Sequence, residues 1–171
     1  YSSYNEKFNN KKRKLDIINN VPEMYNSPKF SDILFIVNSQ KYHGHKFFLH
    51  KKSDIFDMYI NNNENIYIND TDNDIFELVL KSLYLYKENM SNIAINKCID
   101  VLIFCDKYNL QEIKNKFENI LMSKINEDNY IIILDIGIKY NCSKINSQVA
   151  YFITSNKIKK NLDILINYLD L

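Results

Sequence analysis

Residues 31–56, SDILFIVNSQKYHGHKFFLHKKSDIF, carry the reading that decides the fold. Ile33, Leu34, Phe35, Ile36 and Val37 form a continuous run of β-prone apolar side chains, the mark of a strand buried on both faces. The run stops at a polar turn, Asn38, Ser39 and Gln40, and a second extended stretch over residues 41–46 follows at once, which predicts a hairpin. Ser53 then suits an N-cap. Ile55, Phe56 and Tyr59 at helical spacing predict a short helix that ends in a polar loop over residues 61–63.

Downstream, Ile66 and Ile68 flank Tyr67 in a brief alternating strand. Thr71 or Asp72 caps a long helix through Ile75, Phe76, Leu78, Val79, Leu80, Leu83 and Tyr84. After a break at 87–92, a helix is expected over 93–108 with Ile95, Ile99, Leu102 and Ile103 on its apolar face. Another follows over 110–122, facing inward with Ile113, Phe117, Ile120 and Leu121. From residue 124 the pattern is helical throughout. Asn126 or Asp128 caps a helix through Tyr140, Asn141 closes it in a left-handed conformation, and Ser143 caps the next one through Ile153. A last amphipathic segment covers 158–169. Upstream, residues 11–20 place Leu15 and Ile18 on one helical face before Pro22 and Pro28 punctuate the chain. The order defines an α+β fold with an all-α tail.

Composition limits what such a chain can do. Its 171 residues balance 22 basic against 21 acidic side chains, a net charge of +1, so no whole-protein field draws it to nucleic acid or to an anionic membrane. No apolar run approaches the roughly 20 residues that span a bilayer, and the first ten residues are polar rather than signal-like. Cytoplasmic residence is the expectation. Lys11, Lys12, Arg13 and Lys14 offer a nuclear address as the alternative, although a solvated helix terminus beside Asp16 is the preferred reading of that cluster. Cys98, Cys105 and Cys142 lack a C-x-x-C spacing and suit reduced thiols; Cys98 and Cys105, seven residues apart, would share a helix face as small packers. Beginning at Tyr1 rather than Met, the chain reads as a piece of a longer polypeptide.

Reactive chemistry finds little support. His43 and His45 would point to the same side of a strand, as two metal ligands could, but no cysteine or carboxylate stands at motif spacing, and a structural or surface role is preferred. Gly44 and Gly137 are the only glycines, too few for a phosphate-cradling loop or a nucleophile elbow. Cys105 beside Phe104 reads as a buried packer. No catalytic residue, metal or cofactor is expected, and the chain is read as a non-enzyme.

Three anchors together resemble the BTB/POZ domain, in that family's order. The first is Asp32, Tyr42, His45, Lys46, Leu49, Ser53 and Phe56; the second is Leu83, Tyr84, Leu85 and Tyr86; the third is residues 105–110, CDKYNL. Residues 129–142 and Ala150 to Ile153 are similar to the opening helices of a BACK domain. The resemblance implies a BTB/POZ domain over 1–123 and a partial BACK-like helical region over 124–171, as in kelch-like or MATH-BTB-like adaptors. Three features depart from the family pattern. Glu88 stands where the family usually has Gly, Pro22 shortens the first helix, and Asn62, Asn63 and Glu64 lack the hydrophobe of the family's hydrophobic-x-Glu motif.

What the resemblance implies for function is protein binding. The chain would be a homodimer with Leu15 and Ile18 among its contacts, recruiting a cullin-3 RING ubiquitin ligase to a substrate protein held by a segment outside this chain. The alternative is a self-associating scaffold or transcription-linked regulator that does not bind cullin. The resemblance places Tyr108 at the cullin interface, and Phe56, Met58 and Tyr59 on a neighbouring helix are candidates to join it; for Tyr108 the competing reading is a tyrosine packed at a helix end with its hydroxyl in water. It also implies an Asp32 to Lys46 ion pair, either lining a partner groove or keeping two charges near an interface from being buried unpaired. Direct binding to nucleic acid or membrane is not expected.

Overall fold

The computed structural model describes residues 21–50, 52–62, 64–85, 90 and 92–155. The apolar run becomes strand β1 (Ile33–Val37), paired antiparallel with β2 (Gln40–Gly44) and parallel with β3 (Asn65–Ile68), in the order β2-β1-β3. Ile33, Phe35 and Val37 are buried while Leu34 and Ile36 are only partly covered, so one face of β1 is core and the other half-covered. The hairpin turn is tighter than expected. Asn38 (φ 46°) and Ser39 (φ 71°) form it alone, both left-handed as a two-residue primed turn requires, and Gln40 already pairs with Val37.

The expected second strand over 41–46 is corrected at its end. It stops at Gly44, where a Cβ would lie 2.8 Å from both Ile33 Cγ2 and Phe35 Cε2, and the chain turns into helix α1 (Lys46–Leu49). His45 makes no side-chain cap; instead the Asp32 carboxylate accepts the Lys46 amide at 2.7 Å and supplies the acceptor from across the sheet.

Helix α2 (Asp54–Asn62) begins as expected, with Ser53 Oγ accepting the Phe56 amide at 2.8 Å. It runs into the stretch expected as loop, where Asn62 Nδ2 donates back to the Met58 carbonyl. Helices α3 (Asn73–Leu83), α4 (Ile95–Lys107) and α5 (Gln111–Met122) follow. The buried face of α4 differs from the expected one: Cys98, Val101, Leu102 and Cys105 are inside, whereas Ile95, Ile99 and Ile103 are only half-buried. The two cysteines do act as small packers, and a face built on them rotates the bulkier isoleucines to the flank. Asn109 (φ 51°) closes α4, with its amide bonded to the Asp106 carbonyl and the Leu110 amide to Cys105 at 2.8 Å, a Schellman end.

The chain divides into two compact units, Tyr1–Lys114 and Asn115–Leu171. In the first, Phe35, Tyr42, Leu49, Phe56, Ile60, Phe76, Leu80, Tyr84 and Leu102 are among the fully buried side chains. In the second, α6 (Tyr130–Lys139) packs on α7 (Ser143–Ser155). Asn141 (φ 54°) closes α6 as expected, with the Cys142 amide on the Gly137 carbonyl at 2.7 Å. Asp128 does not cap α6, whereas Asn126 caps the turn that leads into it, its Oδ1 accepting the Asp128 amide at 3.0 Å and its carbonyl the Tyr130 amide at 3.1 Å. Asn129 precedes it and spends its amide side chain locally, accepting from the Asn126 amide and donating to the Lys124 carbonyl. Ser143 is the first residue of α7 rather than its cap, because the Cys142 carbonyl already accepts the Asn146 amide.

The expected helix at 11–20 with Leu15 and Ile18, the basic cluster at 11–14, the positions Tyr86 and Glu88, and the segment 158–169 lie outside the described residues. Among the described residues no helix is long and apolar enough to cross a membrane.

Candidate protein-interaction surface

The histidines are separated by their surroundings. His45 is fully buried and saturated: its amide donates to Tyr84 Oη at 2.9 Å, its Nδ1 lies 2.8 Å from the same oxygen, and its Nε2 lies 2.9 Å from the Lys29 carbonyl. The Lys29 carbonyl can only accept, so Nε2 carries the ring hydrogen, and in the neutral imidazole Nδ1 then accepts the Tyr84 hydroxyl proton. Burial pushes the Tyr84 phenol well above its ordinary range. His43 is half-buried, with its amide on Asn26 Oδ1 and its Nδ1 3.3 Å from Ser31 Oγ. Among the described residues no three histidine, cysteine or acidic side chains are placed to hold a metal ion. Cys105 is buried, and burial raises its thiol far above the range in which a thiolate forms at neutral pH.

Asp32 and Lys46 do meet, but through the Lys46 main-chain amide rather than an ion pair of side chains. The carboxylate is engaged in capping α1, which corrects the expected contact.

The four residues expected at a cullin interface fall into two layers. Phe56 is fully buried, stacked on Phe35 with ring centroids 5.5 Å apart, and cannot present a surface. Tyr108 is 7% exposed: it lies 4.5 Å from the Phe104 ring and meets Phe56 and Tyr59 edge-on at 6.3 and 6.4 Å. Its hydroxyl donates to Asp70 at 3.3 Å, and burial, then the Asp70 charge, raises its pKa. Neither an exposed hot spot nor a hydroxyl in water describes it. Met58, at 57% exposed, and Tyr59, at 41%, form the outer layer, with Tyr59 resting on the Tyr108 ring. Lys107 also binds Asp70, so the end of α4 is tied to the loop after β3 by two side chains.

Among the described residues, sequence reasoning missed four exposed aromatics: Phe30, Phe47, Tyr67 and Tyr151. Tyr67 was legible, because alternation with buried Ile66 and Ile68 forces it outward. Phe30, held at φ 62°, gave no such signal. A cleft of about 370 Å³ is lined by Asn38, Asp70, Asp72, Asp100, Ile103 and Lys107. Burial, then the charges of Asp72 and Asp74, raises the Asp100 carboxyl.

A small mixed sheet with a helical cluster thus carries an exposed Met–Tyr pair over the buried rings of Tyr108 and Phe56. The family model for the BTB/POZ domain matches residues 21–125, and the chain belongs to that family. Its fold is similar to the BTB domain of zebrafish PATZ1, with a TM-score of 0.56 at 12% identity over 66% of this chain and 94% of that one. In sequence it is 26% identical over 140 residues to Armadillo BTB Arabidopsis protein 1 of Arabidopsis thaliana, covering 78% of this chain and 19% of that protein. It is 27% identical over 145 residues to Protein maternal effect lethal 26 of Caenorhabditis elegans, covering 80% and 36%. The chain thus spans well under two thirds of the length of either relative.

Proposed function

We propose that this chain is the BTB part of a homodimeric adaptor that recruits a cullin-3 RING ubiquitin ligase to a substrate protein held by a segment outside residues 1–171. The observation that carries the reading is the exposed pair Met58 and Tyr59 on α2, backed by Tyr108 and Phe56 and braced through Asp70. Tyrosine is a hot-spot type and methionine is enriched at interfaces, and the contact of Tyr59 with the Tyr108 ring lowers the side-chain freedom it has to lose on binding. Residues 124–171 are the first helices of a BACK-like extension in this reading, and Leu15 and Ile18 contribute to the dimer. The protein works in the cytoplasm.

The second reading is a self-associating scaffold or transcription-linked regulator without cullin. The polar run Asn61, Asn62, Asn63 and Glu64, which ends α2 and follows it, favours it, since it adds no apolar residue to the sequence after Met58 and Tyr59 but Ile60, which is buried. Light scattering of the full chain on a sizing column, with and without the cullin-3 N-terminal domain, separates the two. A dimer that gains cullin mass supports the adaptor, and one that stays at its own mass beside excess cullin leaves the scaffold.

A further inference from the structure

We propose that the outer edge of β3 accepts an extended, positively charged segment of a partner protein as an added strand. The register carries this. Leu34 donates its amide to the Glu64 carbonyl at 2.9 Å, and Leu34 and Ile36 stand opposite Asn65 and Tyr67. In a parallel pair this phase turns the main-chain groups of Glu64, Ile66 and Ile68 toward β1, and those of Asn65 and Tyr67 away from it. Among the described residues no hydrogen bond is formed to those outward groups. Two donors and two acceptors, spaced as a strand spaces them, therefore stand open beside the exposed Tyr67 ring, 67% accessible.

The opposite edge of the sheet is treated differently. On β2 the side chain of Asn26, itself at φ 48°, takes the His43 amide at 2.8 Å and so plugs the edge. Proteins commonly blunt exposed edges with proline, lysine, a bulge or such a plug, and residues 64–69, ENIYIN, contain no proline and no lysine. The open groups recognise an extended backbone and nothing else, which is strand addition.

Charge selects the occupant. Exposed Glu64 stands at one end of β3, and exposed Asp70 and Asp72 at the other, with the Lys107 ammonium already on Asp70. A second copy of this chain pairing antiparallel about Tyr67 would set Glu64 opposite Asp70, a like-charge pair at each end. A segment with an apolar centre to lie on Tyr67 and lysine or arginine at its ends meets opposite charges instead. This proposal does not rest on which partner engages Met58 and Tyr59.

The test uses the full chain, 15N-labelled, and acetyl-Lys-Val-Thr-Val-Lys-amide as probe. The expected result is saturable binding with a Kd on the order of 1 mM, slowed hydrogen exchange at the Asn65 and Tyr67 amides, and loss of binding when glutamates replace the lysines. A version N-methylated along its backbone, which keeps side chains and charge but lacks donors, should not bind. Tyr67→Pro removes one outward donor at an edge position that tolerates proline and should weaken binding at least about fivefold, without loss of the folded spectrum. Should Tyr67→Pro not fold, the N-methylated peptide alone decides. Equal binding by the glutamate or N-methylated peptide, perturbation confined to other residues, or β3 pairing between two copies would overturn the proposal.

Discussion

Tyr84 and His45 exchange hydrogen bonds in both directions: the phenol oxygen accepts the His45 amide at 2.9 Å and stands 2.8 Å from Nδ1. The pair joins the end of α3 to the start of α1, and Nε2 extends the chain to the Lys29 carbonyl. Tyr84→Phe keeps the ring stacked on Phe48 but leaves a buried amide and a buried ring nitrogen unsatisfied. A loss of about 1–3 kcal/mol is expected. Urea titration at neutral pH checks it, and an unchanged midpoint would show that water replaces the phenol.

Alkaline pH should unfold the first unit early. Burial raises the phenols of Tyr42, Tyr84 and Tyr108 and the thiol of Cys105 above their ordinary values. Each group releases its proton more readily when unfolded, so the unfolded state binds fewer protons once pH passes the unfolded values, about 8.5 for thiol and 10 for phenol. Stability is therefore fully present below that range and falls as pH rises toward the folded values. Melting temperature should drop steadily above about pH 10, and less steeply in Tyr84→Phe.

Gly137 and Asn146 lie so close that a Cβ on Gly137 would overlap Asn146 Oδ1 and sit 2.9 Å from Ile145 Cγ2. Asn146 Oδ1 is itself buried without a hydrogen-bond donor. Gly137→Ala should cost about 1–3 kcal/mol through overpacking. Asn146→Ala should recover part of it, because the offending atom ends a side chain. A double-mutant cycle by thermal melts reads the coupling, and strict additivity would mean that the two residues do not touch.

The two layers beneath the proposed cullin site should separate in mutagenesis. Phe56→Ala removes a fully buried ring and should cost about 3–5 kcal/mol of stability. Met58→Ala should change stability by less than about 0.5 kcal/mol, yet weaken binding of the cullin-3 N-terminal domain about tenfold or more. Isothermal titration and melting curves on the same samples give both numbers. Binding unchanged by Met58→Ala would remove α2 from the interface.

Much of the first unit was legible because its signals are local. The apolar run at 33–37, bounded by turn residues, marked a strand, although only one of its faces proved fully buried, and Ser53 stood where a cap was needed; in the second unit Asn141 likewise marked a left-handed helix end. The errors arose where a distant residue decides. Nothing near Lys46 announces that Asp32, fourteen residues earlier, will cap the helix beginning there. The depth of Tyr108 was hidden likewise. A tyrosine at a helix end is ordinarily half-wet, and only the convergence of Phe56, Tyr59, Phe104 and Asp70 buries it. Of the four residues proposed for the site, Phe56 and Tyr108 were therefore expected at the surface and lie beneath it, while Met58 and Tyr59 are exposed.

The three cysteines lie in both compact units, Cys98 and Cys105 in the first and Cys142 in the second, each at most 1% accessible. No alkylating reagent reaches them while their surroundings are closed. Each thiol is thus a built-in timer for opening. Labelling of Cys142 ahead of the other two, followed by mass spectrometry, would date the loosening of the helical unit separately from that of the sheet, without introducing any probe into the chain.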